Sequence, residues 1–142
     1  MDTRFSSAIH TLILISEAET PMTSEEIAVS VGTNASYIRK ITSLMKKAGI
    51  IESRQGKSGF ALLIPPADLT LYEIYKAIYE SDHVHVFDIH RNPNDECIVG
   101  RHIQPVLEDT FREIEERTEQ QLRSETLEGC MKKLRTEIDS NN

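Results

Sequence analysis

Two kinds of residue in this chain could do chemistry. The first are cations. Thr33–Ser58 holds Arg39, Lys40, Lys46, Lys47, Arg54 and Lys57, opposed only by Glu52, for a local charge of +5. A lone Lys-Lys pair is an ordinary solvated helix face, and Lys46 and Lys47 allow that reading. Six cations in one stretch of an acidic chain mark an anionic partner. Close to them in sequence stand Thr23, Ser24, Thr33, Asn34, Ser36 and Tyr37, side chains that bond phosphate oxygens or base edges. The second kind are thiol and imidazole groups. Cys97 follows Asp95-Glu96, whose carboxylates raise a thiol pKa. A helix start just beyond it, with Arg101 and His102, lowers the pKa. Cys97 is therefore either a redox-sensing thiolate or an inert, partly buried thiol. Cys130 falls in an apolar-patterned helix and reads as a small hydrophobe. His83 and His85 share a side of an extended segment, but with His90, Cys97 and His102 they match no metal-ligand spacing, so no metal site is expected.

The whole sequence bounds these options. It has 142 residues, 39% hydrophobic and 27% charged, with a net charge of −7. That is the balance of a folded domain with one core. Residues 1–64 carry 7 Lys/Arg against 6 Asp/Glu, and residues 65–142 carry 9 against 17. The cations are thus concentrated in a nearly neutral first half, ahead of a strongly acidic second half. No apolar run approaches the roughly 20 residues of a membrane span. The N-terminus has no secretory pattern, and two cysteines make no disulfide framework. A cytoplasmic protein with no membrane partner is expected. No nucleophile–base motif, phosphate loop or His-Glu metal motif occurs, so an enzyme is not expected.

The elements that must position these groups follow from periodicity. Ala8, Ile9, Leu12, Ile13 and Ile15 or Ser16 give a helix over Arg4–Glu17, broken by Thr20-Pro21. Thr23-Ser24-Glu25-Glu26 is a capping box that opens a second helix with Ile27, Ala28 and Val31 as its stripe. Gly32 turns the chain, and Thr33 or Asn34 caps a third helix over Ala35–Ala48. Ile38, Ile41, Leu44 and Met45 face its core, leaving Ser36, Tyr37, Arg39, Lys40, Ser43, Lys46 and Lys47 on or near the open face. Ile50–Arg54 and Phe60–Ile64 read as strands around a hairpin tip, Gln55–Gly59. Three helices and a basic-tipped hairpin make a winged helix-turn-helix. Thr70-Leu71-Tyr72-Glu73 is a second capping box. It opens a helix whose Tyr72, Tyr75 and Tyr79 suit core packing better than a ligand pocket. Ser81–Glu96 reads as a loop with room for one short strand at Val84–Ile89. A long helix over Ile98–Leu122 either begins at Gln104 or kinks at Pro105. A last helix spans Thr126–Ile138, with residues 139–142 frayed. The long helix shows more apolar stripe than a small domain can cover, through Val99, Ile103, Val106, Leu107, Phe111, Ile114 and Leu122. It reads as a homodimer seam.

This order of pieces resembles the Rrf-type bacterial regulators, the family of IscR, NsrR and CymR. The resemblance lies in Ser24-Glu25-Glu26-Ile27-Ala28, Tyr37-Ile38-Arg39-Lys40-Ile41 and Leu44 through Ile51. It continues in the Gly-rich wing Arg54–Phe60, with Phe60 where Tyr is usual, and in Pro65–Leu71. Asn92 through Gly100 is similar to a YwnA-like branch. The resemblance implies a mainly α (α+β) chain. A winged helix-turn-helix DNA-binding domain would cover residues 1–80, a regulatory loop 81–97, and a dimerisation helix with a C-terminal helix 98–142. It implies a homodimeric transcriptional regulator, a repressor, on a pseudo-palindromic double-stranded DNA operator. In such a protein Thr33, Asn34, Ser36 and Tyr37 reach the major groove, with Arg39 and Lys40 one turn on. Thr23 and Ser24 meet phosphate at a helix N-terminus. Arg54, Gln55 and Lys57 enter or straddle the minor groove. Asn34 or Arg39 could read a base through two hydrogen bonds, but phosphate is the commoner partner for each of these residues. IscR-like and NsrR-like members hold an iron–sulfur cluster on three loop cysteines. Here the loop has only Cys97, so no cofactor is expected. Control falls either to Cys97 or to a partner protein or small ligand docking on the C-terminal half.

Overall fold

The structure, a computed structural model, describes residues 2–54 and 59–141. Among them are six helices and one two-stranded sheet. Helix α1 (Arg4–Glu17) buries Ala8, Leu12 and Ile15. It also buries Thr11, whose hydroxyl escapes the cost of burial by donating to the Ser7 carbonyl at 2.8 Å. Helix α2 (Ser24–Val31) begins with the expected capping box. The Thr23 hydroxyl accepts the Glu26 amide, and Glu26 accepts the Thr23 amide. Gly32, at φ 84°, takes the left-handed turn that a side chain would strain. Asn34 rather than Thr33 caps α3 (Ala35–Lys47), accepting the Tyr37 amide at 2.9 Å. Ile38, Ile41 and Met45 are buried, and Leu44 half-buried.

Strands β1 (Ile51–Ser53) and β2 (Phe60–Leu62) pair antiparallel, Ile51 against Leu62 and Ser53 against Phe60. Both are shorter than the sequence suggests. The pairing still reaches one bond further each way, from the Leu63 amide to the Ile50 carbonyl and from the Arg54 amide to the Gly59 carbonyl. Helix α4 (Leu71–Tyr79) has only half of its expected capping box. Thr70 accepts the Glu73 amide, but the Glu73 carboxylate turns to Lys76 at 3.7 Å. Thr70 also bridges Thr126, between bonds from Leu71 N to Glu125 O and from Leu127 N to Leu69 O.

Residues 81–96 form no strand among the described residues. Side chains hold them instead. The Tyr72 hydroxyl donates to the Asp82 carbonyl at 2.6 Å, the His85 amide donates to the Tyr75 hydroxyl, and the Val86 amide donates to Glu115. Helix α5 (Ile98–Ser124) starts at Ile98 and continues through Pro105, so the start at Gln104 is set aside. Helix α6 (Leu127–Ser140) also runs further than expected, through Asp139 and Ser140. The Ser140 hydroxyl bonds back to the Thr136 carbonyl, and Asn141 bonds the Glu137 carbonyl. Leu127, fully buried, joins the core formed by α1, α2, α3 and α4.

Candidate nucleic-acid interface

Helix α3 lies across α2 after the Gly32 turn, with its polar face outward. Ser36, Arg39, Lys40, Ser43 and Lys47 line a shallow groove along that face, with Leu44 and Glu80 at its edge. Each candidate side chain now has neighbours that limit what it can do. The Asn34 side-chain oxygen is committed to the α3 cap, so only its NH2 is free. A two-bond contact to adenine needs both ends of the amide. The Thr23 hydroxyl is likewise occupied, donating to Glu26 as well as accepting from its amide. Among the described residues the Ser24 hydroxyl makes no such bond, which leaves it the freer phosphate donor.

The cations divide into two groups. Lys40 has no ion-pair partner among the described residues. Arg39 pairs with Glu25 of α2 at 3.2 Å, both side chains being more than half exposed. At the far end of α3, Lys46 donates to the Ser53 hydroxyl at 3.3 Å and lies over the Phe60 ring. Lys47 bonds Glu80 at 2.8 Å, and that hydrogen bond raises its ammonium pKa. These two cations tie α3 to the wing and to the end of α4. Sequence inspection missed every one of these pairs, because the partners lie 7 to 33 residues apart.

Arg54 is exposed at the root of the wing. Gln55 and Lys57 lie outside the described residues. The wing root is fixed against the turn before α2: Gly59 sits at φ 122°, and a Cβ there would overlap Pro21. That contact sets Arg54 and the α2 N-terminus in a defined relation.

Cys97 is exposed at the N-cap of α5. Its side chain makes no capping hydrogen bond, and the neighbouring backbone amides of Gly100 and Val99 hold the thiol below its ordinary pKa. The partly buried reading of Cys97 is therefore corrected. Burial pushes the half-buried Cys130 thiol up. His85 lies between two carboxylates, Asp88 at 2.7 Å and Glu115 at 3.6 Å. No group of three or more His, Cys, Asp or Glu among the described residues is placed to hold a metal.

On α5, none of the apolar side chains is buried. Val99, Val106 and Ile114 are exposed, and Ile103, Leu107, Phe111 and Leu122 are half-covered. Phe111 rests on Phe87 with ring centroids 5.2 Å apart. Ile98, 71% exposed, extends this stripe and was absent from the expected set. No helix among the described residues is long and apolar enough to cross a membrane.

Comparison with known proteins gives this geometry a context. A family model described as Rrf2, iron-dependent transcriptional regulator, matches residues 1–133. The chain is 41% identical over 134 residues to YwnA of Bacillus subtilis (strain 168), named as an HTH-type transcriptional regulator, covering 94% of this chain and 98% of YwnA. A crystal structure titled as a DNA binding protein is 40% identical, with a TM-score of 0.73, covering 90% of this chain and 98% of the other. The structure of T. potens IscR shares the fold at 20% identity and a TM-score of 0.69, covering 94% of this chain and 87% of the other. An iron–sulfur cluster needs several thiolates at one place. With a lone thiol at Cys97 and the other on α6, the residues here do not fit one.

Proposed function

Because the chain belongs to the Rrf2 family of transcriptional regulators, we propose that it is a homodimeric, sequence-specific repressor acting on a pseudo-palindromic operator. Its helix-turn-helix is the DNA-binding part, and it is not an enzyme. The observation that carries the reading is the outer face of α3. Ser36, Arg39, Lys40 and Ser43 project from a helix whose opposite face is buried in the core. A helix so held can enter a major groove without unfolding anything, while Ser24 and Arg54 meet the flanking backbone and minor groove.

Dimerisation supplies the second half-site. The stripe Ile98, Val99, Val106 and Ile114 is apolar, exposed and on one long helix, which supports a second copy packed along α5. The acidic second half lowers non-specific attraction to DNA, so affinity comes from the local cations of the first half. For the signal we favour Cys97. It is exposed, and the amides beside it stabilise the thiolate, the reactive form.

The test selects duplexes from a random pool on purified protein, then measures binding to the selected duplex reduced, after mild thiol oxidation, and with Cys97→Ser. A palindromic duplex bound by two chains is expected. Release on oxidation in the wild type alone would assign the switch to Cys97. Recovery of no duplex would refute the function, and equal binding in all three samples would refute the thiol signal.

A further inference from the structure

A close contact joins the wing to the turn between α1 and α2. Gly59, at φ 122°, lies against Pro21. A Cβ on Gly59 would overlap the Pro21 Cβ and stand 3.0 Å from the Pro21 Cα and carbonyl carbon. Two effects therefore demand glycine there, the approach of the two chains and a φ that side chains avoid. Neither serves the core, since Gly59 is half-buried and brings no side chain to it. What the contact does govern is Arg54, whose amide donates to the Gly59 carbonyl at 3.1 Å across the base of the hairpin. Beside the contact the packing is open: a cleft of 190 Å³, lined by Ser16, Glu19, Pro21, Arg54 and Phe60, separates the wing root from the end of α1. From α3, Lys46 donates to the Ser53 hydroxyl at 3.3 Å and lies 5.9 Å from the centre of the Phe60 ring. The wing root is thus tied to α3 through Lys46 and stopped against Pro21 through Gly59.

We propose that Gly59 and Pro21 are positioning residues for minor-groove recognition. Their contact, together with the Lys46 tie, fixes the distance from the wing to α3. It thereby fixes the spacing in the operator between the step met by the wing and the bases met by α3. The proposal rests on the DNA-binding function above. A wing cation favours a narrow, A·T-rich minor groove. That preference adds to sequence specificity when the cation arrives at a set number of base pairs from the recognition helix, because a drifting wing averages over neighbouring steps. The Arg54 side chain is exposed and long, so the register must come from its backbone. Lys46 is a flexible tether, and its bond to Ser53 is exposed. The stop at Gly59 is stiffer, since backbone there meets a proline ring with no room between them.

The test selects duplexes from one random pool on wild type, Gly59→Ala, Pro21→Gly and Gly49→Ala. Binding to the wild-type duplex is then followed by fluorescence anisotropy over a range of salt. The wild type should return a core sequence with an A·T-rich step at fixed spacing from it. Gly59→Ala pushes the wing off Pro21 and should return the same core with that step lost or displaced. It should weaken binding to the wild-type duplex about 10- to 100-fold, the range for one hydrogen bond to a charged group. The salt slope should fall by about one contact. Pro21→Gly removes the stop from the other side without adding an atom, and should blur the flanking step in the same way. Gly49, at φ 77° with nothing within 4 Å of its Cβ position, is the control. Gly49→Ala adds backbone strain without overlap, so it should lower the melting temperature and keep the flanking preference. A wing stripped by Arg54→Ala with Lys57→Ala has no cation left to position, and there Gly59→Ala should cost nothing further. An unchanged flank in both Gly59→Ala and Pro21→Gly would overturn the proposal. So would the same loss of flank in Gly49→Ala, or an undiminished cost of Gly59→Ala on the stripped wing, since either means general loosening. A wild type that selects a core with no flanking preference would also overturn it while leaving the DNA-binding function standing. Failure of the wild type to select any duplex would overturn both.

Discussion

The Arg39–Glu25 pair gives a sharp way to test the recognition face. Replacing Glu25 by Gln removes the carboxylate that holds the guanidinium at 3.2 Å but keeps the shape of α2. Both side chains are more than half exposed, so the pair is screened and worth about 0.2–1 kcal/mol. On the proposed interface, binding DNA releases Arg39 from Glu25 so that the guanidinium meets a phosphate or a base. Glu25→Gln should therefore tighten binding by about 1.4- to 5-fold, the same energy expressed as an equilibrium ratio. Removing a like charge from the DNA-facing side adds in the same direction. The mutation also takes an acid from the first turn of α2, which costs stability of about 0.3–1 kcal/mol, so binding is measured well below the melting temperature. The assay is fluorescence anisotropy on the selected duplex at several salt concentrations, for wild type, Glu25→Gln, Arg39→Ala and the double variant. Arg39→Ala should weaken binding and reduce the salt slope by about one contact. In its background Glu25→Gln should lose most of its effect. If Glu25→Gln instead weakens binding, Glu25 is aiming Arg39 at a base rather than competing for it. If the two effects simply add, the ion pair has no part in recognition.

Other predictions test the remaining elements. Val106→Asp with Ile114→Asp should leave far-UV circular dichroism and melting unchanged while sedimentation shifts toward the monomer; an unchanged sedimentation coefficient would remove α5 as the seam. Leu127→Ala empties a fully buried site in the core and should cost about 2–5 kcal/mol in urea unfolding; a loss under 1 kcal/mol would mean α6 is not part of the cooperative unit. Cys97 should react with iodoacetamide faster than Cys130, with a midpoint below that of the unfolded chain. Its folded pKa is depressed, so the associated stability is present above the unfolded pKa and is lost as pH falls through the folded one. Equal rates for the two thiols would contradict the amide contacts at Gly100 and Val99.

Local signals in the sequence were read correctly where local rules decide. The Thr23–Glu26 box, the Gly32 turn and the α3 stripe depend on residues within one or two turns of each other, and all stand as expected. The second box formed by half, with the Glu73 carboxylate beside Lys76 instead of the Thr70 amide, and the bridge from Thr70 to Thr126, 56 positions along the chain, left no local signal. The loop at 81–96 was similarly opaque. What fixes it is Tyr72, Tyr75 and Glu115, from two helices, and no periodicity announces such contacts. Of the two readings of Pro105, the start at Gln104 falls and the helix from Ile98 stands, because a proline within a helix costs one hydrogen bond, which a 27-residue helix can carry. At the candidate site, residue types were legible but commitments were not. The cap on Asn34 and the pairing of Arg39 and Lys47 narrow which groups can meet DNA, and the contact of Gly59 with Pro21 carried no signal beyond a glycine in a hairpin tip.

Helix α4 carries the mechanical question that follows. It packs on α1, α3 and α5. Arg123 of α5 sits 3.9 Å above the Tyr72 ring, and the Tyr72 hydroxyl holds the loop at Asp82. Tyr75 meets Phe5 of α1 edge-on while its hydroxyl grips His85, and Glu80, just past α4, holds Lys47 of α3. A shift of α5 begun at its N-cap would thus reach α3 through one rigid, nine-residue helix. Such a relay must be two-state to work, since packed cores switch between arrangements rather than stretch. Tyr72→Phe separates the parts. It keeps the ring under Arg123 and frees the loop, so it should leave operator affinity of the reduced protein unchanged while reducing the difference between reduced and oxidised forms. If the difference survives intact, the signal from Cys97 does not pass through this loop contact.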